Sequence, residues 1–408
     1  MTKRLVPLVA VWLLLGIAAS TLAAPTGKIT VGWKGYDPVI EQLAAEFEAR
    51  YPGTTVEIID MAAGTPWLEK LQVLLMSGTA PDVVRGEILR MAHFIEQGAF
   101  LALDELIAHD PEFRLEDFFE PAIEMYRYKG KLYGLPREAN VMSIFVNKDI
   151  LATLAIPMPD YNWTYDDLIE MGRKIVLDVD GDGIWERVGC VSRQWSTRIH
   201  SFLLGFGTDL LTEDGSWWRL EEPRAIEALQ FLQDAGISGA IVADSRYDFP
   251  AGNTAMKLSG PWRNPAYRTA DFEWDIVPVP EGPYGRGSTL IGDGYWITKE
   301  SQNVELAWEF IKFLTSAEAQ QATAGAGELI PSNKEAFFSP WFLFPEEAPF
   351  NIDAYEVGLQ YASSIPAAPR FRDFEVAIEP TLLEILTGRI PVEQALHQLE
   401  PVVRTILQ

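Results

Sequence analysis

Four segments in a set order constrain this chain more than any other part of it: AMKLSGPW at 255–262, VPVP at 277–280, GDGYWITKES at 292–301 and AWEFIKFLTSAEAQ at 307–320. An apolar run stops at a Gly-Pro-Trp turn, a further strand ends in prolines, a glycine-broken strand follows, and an amphipathic helix closes the series. Proline restricts the backbone, so the turn holds Trp262 rigidly. A large aromatic at the end of a buried strand, beside a glycine-rich segment, is expected in a pocket wall rather than in a core.

The first part of the chain reads as β-α-β. The strand ITVGW begins at Ile29, a helix with Val39, Leu43 and Phe47 at helical spacing follows, and TTVEII at 54–59 forms a second strand after the Tyr51-Pro52-Gly53 turn. A helix around Trp67–Met76 leads to PDVVRGE at 81–87, a third, buried parallel strand. Strands alternating with helices predict a doubly wound α/β layer, whose ligand sites lie outside the carboxyl ends of the strands. Thr164 before TYDDLIEMGRKIV reads as an N-cap with Asp167 at the capping-box offset, where Glu or Gln would fit better. At 408 residues the chain exceeds one typical core, and two lobes fit its length.

Together these segments resemble the family 1 extracellular solute-binding proteins of ABC transporters, the sugar-binding, maltodextrin-binding-protein-like group. The resemblance implies a type II periplasmic-binding-protein fold of two α/β lobes, each a sheet flanked by helices, with a ligand cleft between them. It makes YKGKLYGLPREANVMSIFVNKDIL at 128–151 the first crossing between lobes, STLIGDGYWI at 288–297 the return, and Pro331-Ser332-Asn333 a third. The N-terminal lobe then comprises 27–136 and 291–335, and the C-terminal lobe 137–290 and 336–408. The implied function is capture of a carbohydrate, mono- to oligosaccharide, for a membrane permease. The partners are a sugar and the permease subunits, the protein is a monomer, and no cofactor is required.

The beginning of the chain fixes the expected compartment. Lys3 and Arg4 precede an apolar stretch from Leu5 to Ala19, and Thr21-Leu22-Ala23 carries small residues where a signal peptidase reads, so residues 1–24 are expected to be a cleaved signal peptide. The sole cysteine, Cys190, is far from that point; no disulfide forms within the chain and no lipid-bearing cysteine follows the cleavage site, which predicts a periplasmic protein. Without Lys3 and Arg4, 31 basic residues face 58 acidic ones. Such a surface repels nucleic acid.

Sugars present hydroxyl groups and C–H patches, so their sites combine aromatic faces with planar bidentate side chains. The ends of the first and third strands offer Trp33, Lys34, Tyr36 and Glu87, and the first crossing offers Arg137, Glu138 and Asn140. Trp195 and Arg198 lie in VSRQWSTRIH, Trp262 and Arg263 in the Gly-Pro-Trp turn, Asp293 and Tyr295 in the return crossing, and Arg370 and Arg372 in IPAAPRFRD. Where maltodextrin-binding relatives present an aromatic residue near the last segment, this chain reads Phe374-Glu375, a departure that counts against a maltodextrin ligand. The segment DVDGDGIWE places Asp178, Asp180, Asp182 and Glu186 at positions 1, 3, 5 and 9 of a calcium loop. Position 12 is Gly189 rather than a bidentate Glu, so a hydrated Asp-Gly turn is favoured over structural calcium.

The four histidines form no HExxH or paired metal spacing, and the chain has no GxSxG and no phosphate-binding glycine loop. Cys190 reads as a buried apolar residue. The rival from another class is a secreted glycoside hydrolase or lyase, with two carboxylates about a glycosidic bond. Within the binding class, glycerol-phosphodiester, uronate and polyamine binders share this architecture, and Arg137, Arg263, Arg370 and Arg372 would serve an anion if they converged.

Overall fold

Two five-stranded sheets of the same plan carry the chain. The computed structural model describes residues 26–35, 37–62, 65–193, 196–325 and 327–407, so the leader read over 1–24, Tyr36 and Trp195 lie outside the described residues. In chain order the strands are β1 (Gly27–Trp33), β2 (Thr54–Asp60), β3 (Val83–Glu87), the hairpin β4 (Arg127–Tyr128) and β5 (Lys131–Leu132), β6 (Gly134–Pro136), β7 (Asn140–Val141) and β8 (Ser143–Asn147). There follow β9 (Val188–Val191), β10 (Ile241–Val242), β11 (Thr254–Ser259), β12 (Trp274–Pro278), β13 (Ser288–Ile291), β14 (Asp293–Ile297) and β15 (Ala362–Ser363).

The first sheet runs β2-β1-β3-β14-β6 and the second β10-β9-β11-β8-β12. In each, three parallel strands meet one antiparallel strand that carries a second antiparallel strand on its far side: β14 between β3 and β6, and β8 between β11 and β12. The chain path explains the symmetry. Strand β8 enters the second sheet directly from the first through β7, and β14 returns to the first through β13. The odd strand of each lobe is thus delivered by a crossing. Between the sheets β7 and β13 pair antiparallel, and β15 joins β13 in parallel. Ala139 N–H donates to the Ile330 carbonyl at 2.8 Å and Glu138 bridges Pro331, so the three segments read as crossings lie side by side.

Local chemistry sets the elements. Strand β1 is buried on both faces over its second half, as a central parallel strand must be, whereas β2 at the edge alternates. Helix Pro38–Arg50 starts at Asp37, whose carboxylate accepts the Val39 N–H at 3.2 Å, with Pro38 in the first turn, where its missing donor costs nothing. Helix Tyr165–Ile175 carries a full capping box, with Thr164 and Asp167 bonding each other's backbone, so Asp performs the task for which Glu was expected. The closing amphipathic helix is two helices, Val304–Leu314 and Ala317–Thr323, because Ser316 caps the second by accepting the Ala319 N–H.

Strand β9 depends on a close approach. A Cβ at Gly189 would overlap the Gly172 Cα and the Ala240 carbonyl, so helix Tyr165–Ile175 can lie on β9 only with glycine at both contacts. Gly189→Ala is expected to destabilise the protein by about 1–3 kcal/mol through overpacking, read as a lower urea midpoint. An unchanged midpoint would mean that helix and strand part without cost.

Candidate functional site

The carboxyl ends of β1 and β3 and the start of β14 bring charged residues together. Register places Glu87 and Asp293 directly opposite each other across β3 and β14, two like charges that would repel without a cation between them. Lys34, one residue past β1, supplies it: its Nζ donates to Glu87 Oε1 at 2.7 Å and reaches Asp293 Oδ1 at 3.4 Å. Arg85 Nε donates to Asp293 Oδ2 at 2.8 Å. Arg137 donates to Asp37 at 3.1 Å and to Glu138 at 3.0 Å, while the Asp293 N–H donates to Glu138 Oε1 at 2.9 Å. Burial opposes the Asp293 carboxylate, but Arg85, Lys34 and Arg137 outweigh it and bring its pKa down to about 2. Burial likewise opposes the Lys34 ammonium, yet Asp293 and Glu87 raise it to about 12. Burial, with Asp293 nearby, pushes the Glu138 carboxyl up against the pull of Arg137.

Two expected ligand-stacking aromatics are turned to another use. Trp33 and Tyr295 are 1% and 0% exposed and stack on each other with centroids 6.0 Å apart. The Arg85 guanidinium sits 4.8 Å from the Trp33 ring centroid and that of Arg137 5.8 Å. The face read as a sugar platform is covered by arginines, which gain a cation–π contact while they hold carboxylates.

Across the cleft, β11 ends at Ser259, and Gly260 leads into the turn Pro261–Arg263. A Cβ at Gly260 would collide with the Trp262 indole, so glycine lets that ring lie on its own main chain. Trp262 lines a cavity of about 770 Å³ together with Lys34, Glu87, Arg137, Glu138, Asn140 and Asp293, and with Asp37 and Arg85. Seven of the expected residues therefore share one cavity: Lys34, Glu87, Arg137, Glu138, Asn140, Trp262 and Asp293. Burial and the neighbouring Arg263 and Arg193 push the Arg198 guanidinium down to about 10, with Tyr267 opposing. Arg263 stands beside the cavity and not among its lining residues.

Arg370 and Arg372 are elsewhere. Arg370 bonds Asp373 at 2.9 Å and the Thr405 carbonyl at 3.2 Å, tying helix Phe371–Leu386 to the last helix, and Arg372 bonds Glu375 at 3.2 Å. An arginine at the start of a helix is drawn to the acidic residue three positions on. Glu375 is the informative member: it also takes Arg90 of helix Ile88–Glu96 at 2.6 Å and Ser196 at 2.9 Å, and so links the two lobes. In the Asp-rich loop the carboxylates of Asp178, Asp180 and Asp182 lie within 4.8 Å of one another, all exposed. Asp178 accepts the Gly181 N–H at 2.7 Å and Asp182 that of Ile184 at 2.7 Å, while the exposed Glu186 accepts the Val179 N–H at 2.8 Å. Cys190 is buried, which pushes its thiol up to about 12 and leaves it inert.

Residues 34–321 match the model of the bacterial extracellular solute-binding proteins. The chain belongs to that family. It is 26% identical over 345 residues to a binding protein of Brucella abortus (strain 2308), covering 79% of this chain and 80% of that one. It is 24% identical over 326 residues to a maltooligosaccharide ABC transporter solute-binding lipoprotein of Streptococcus pneumoniae (strain ATCC BAA-255 / R6), covering 74% and 71%. The fold superposes on an ABC substrate-binding protein of Listeria monocytogenes in complex with cycloalternan, with a TM-score of 0.80, 20% identity and coverage of 93% of this chain and 99% of that one. The family is one of binding proteins, and the fold is the two-lobed periplasmic-binding-protein fold.

Asp37 and Arg85 extend the expected set. Asp37 and Arg85 escaped sequence reading, although Asp37-Pro38 is a helix-start signal whose cap has a second oxygen to spend. The pH behaviour follows from Asp293. Its folded pKa of about 2 lies below the ordinary value, so its contribution is complete above pH 4 and is lost as pH falls towards 2; Glu138, raised, works in the opposite sense. Asp293→Asn is expected to lower stability at pH 7 by about 3 kcal/mol, by leaving Arg85 and Lys34 underpaired, and to flatten the acid limb between pH 4 and 2. Thermal melts across that range compare the two proteins; parallel acid limbs would count against the assignment.

Proposed function

We propose that this protein is the soluble receptor of an ABC importer, capturing a neutral carbohydrate, mono- to oligosaccharide, between its lobes and presenting it to a membrane permease pair. The observation that carries the reading is the pairing of faces in one cavity: Trp262 on one side, and on the other planar carboxylates, Arg137 and Asn140, already fixed by hydrogen bonds. The sugar-binding relative and the cycloalternan complex support it. The charge balance disfavours an anionic ligand. Among the described residues of the first lobe's wall, Lys34, Arg85 and Arg137 meet four carboxylates, Asp37, Glu87, Glu138 and Asp293, so no positive charge is left over for an anion. The arginines required by the glycerol-phosphodiester or uronate reading do not converge, since Arg370 and Arg372 are spent on Asp373 and Glu375.

In this reading lobe exchange falls at 137, 291 and 336, the hinge is the strand cluster β7, β13 and β15, and closure over ligand is the signal to the permease. Residues 1–24 direct export to the periplasm, the protein works as a monomer, and no catalytic step, nucleotide or metal is required. Among the described residues, no helix is long and apolar enough to cross a membrane. The Asp-rich loop is a local turn, and calcium is expected to bind it with a dissociation constant above about 10⁻⁴ M or not at all.

A thermal-shift panel of neutral sugars, uronates, polyamines and glycerol phosphates, followed by calorimetry at low and high salt, tests the reading. A neutral sugar should bind with little salt dependence; affinity that falls steeply with salt would overturn it. Trp262→Ala is expected to weaken sugar binding by about 1–3 kcal/mol with the melting temperature nearly unchanged. Unaltered affinity with collapsed stability would make Trp262 a core residue.

A further inference from the structure

Arg90 is a side chain of the first lobe whose partners, among the described residues, all belong to the second. It stands in the first turn of helix Ile88–Glu96, three residues beyond Glu87, which occupies the N-cap position of that helix and lines the cavity. Its Nη2 donates to Glu375 Oε2 at 2.6 Å, and its guanidinium lies 5.7 Å from the ring centroid of Phe371. Both partners are on helix Phe371–Leu386. The two charged side chains are largely buried, with 16% of Arg90 and 9% of Glu375 exposed.

Glu375 sits in a socket that the second lobe builds for it. Ser196 Oγ donates to its Oε1 at 2.9 Å and Arg372 Nη1 to its Oε2 at 3.2 Å, so the carboxylate keeps its place whether or not Arg90 is there. The arm is less well provided for. Arg90 Nη1 is buried without a hydrogen-bond partner among the described residues, so the engaged form carries an unmet donor that opening would return to water. Opening about β7, β13 and β15 parts the pair, because one member moves with each lobe. Neither residue lines the cavity, so the pair bears on closure and not on the ligand itself.

We infer that Arg90 and Glu375 form an interlobe latch, through which the ligand-free protein closes part of the time and which sets how tightly and how long a sugar is held without touching it. The inference rests on the proposed function, in which the closed form is the one that holds ligand. A receptor whose competent form is populated for only a fraction of the time loses that factor in apparent affinity, so a change in the latch is read as a change in binding. Removing the carboxylate is the severe case: the closed form then holds a buried, unpaired guanidinium, whereas the open form solvates it. Burial also keeps salt from screening the pair, so the salt test of the ligand's charge stands.

Small-angle scattering of the ligand-free protein tests the latch, together with stopped-flow binding of maltotriose or of whichever galacto- or arabino-oligosaccharide binds best. Glu375→Gln, which keeps the shape of the side chain, should enlarge the ligand-free radius of gyration. It should also make the sugar dissociate about tenfold faster while association is no slower. Arg90→Lys should keep most of the wild-type behaviour, and adding Arg90→Met to Glu375→Gln should restore part of the affinity by taking away the unpaired charge. Arg90→Met alone gives the same readouts to a smaller degree, and serves if Glu375→Gln fails to fold. A ligand-free radius unchanged in both single variants, or an affinity lost through slower association alone, overturns the latch and leaves the proposed function standing. If none of the sugars binds, the proposed function falls, and the ligand-free scattering still decides whether the pair holds the lobes together.

Discussion

Two carboxylates face each other across β3 and β14, and much of the cleft's order follows from keeping them there. Glu87 and Asp293 are a like-charge cross-strand pair, which a sheet tolerates only with cations in reach. Lys34 comes from the end of β1 and Arg85 from β3 itself, so the clamp joins the carboxyl ends of two parallel strands to the strand returning from the other lobe. Asp293 also fixes the first crossing through its backbone: its carbonyl accepts the Arg137 N–H at 3.0 Å and its N–H donates to Glu138. Arg137 in turn reaches the Asp37 helix cap. A wall built this way is set before any ligand arrives, so little reorganisation is spent on binding.

Among the described residues, backbone pairing and side-chain contacts both join the lobes. Backbone pairing among β7, β13 and β15 and the 330–331 segment is continuous and cannot slip without breaking several hydrogen bonds. Arg90 to Glu375 is a side-chain contact between a helix of each lobe. A largely buried ion pair loses much of its Coulomb energy to desolvation, so its net contribution is small in either direction. Contacts of this kind can hold two lobes in register and still release them, whereas the strand cluster keeps the axis of any movement.

What the sequence made legible was whatever depends on near neighbours. The β-α-β opening, the capping box at Thr164 and Asp167 and the Trp262 turn all follow from residues within a few positions of one another. The charge network does not: Lys34 and Asp293 are 259 positions apart, and Arg90 and Glu375 are 285. Trp33 and Tyr295 show the same limit from the other side. An aromatic at a strand end reads as an open platform, and nothing local reveals that Arg85 and Arg137 lie over it. Arg370 and Arg372 were read as reaching a cleft, yet each found an acidic residue three positions away. Local pairing took them, as helix geometry favours.

The Asp-rich loop shows how packing at a distance decides a site's chemistry. A tight calcium loop needs a bidentate glutamate at its twelfth position, and here that position is Gly189. The residue is the second of β9, pressed against Gly172 and the Ala240 carbonyl with no room even for a methyl group. A glutamate there would break the seat of helix Tyr165–Ile175. The loop's carboxylates are accordingly spent on its own amides, with Glu186 folded back to Val179. Removing the aspartates would loosen a turn, and no substitution at position twelve could complete the calcium cage without dismantling the strand beneath it.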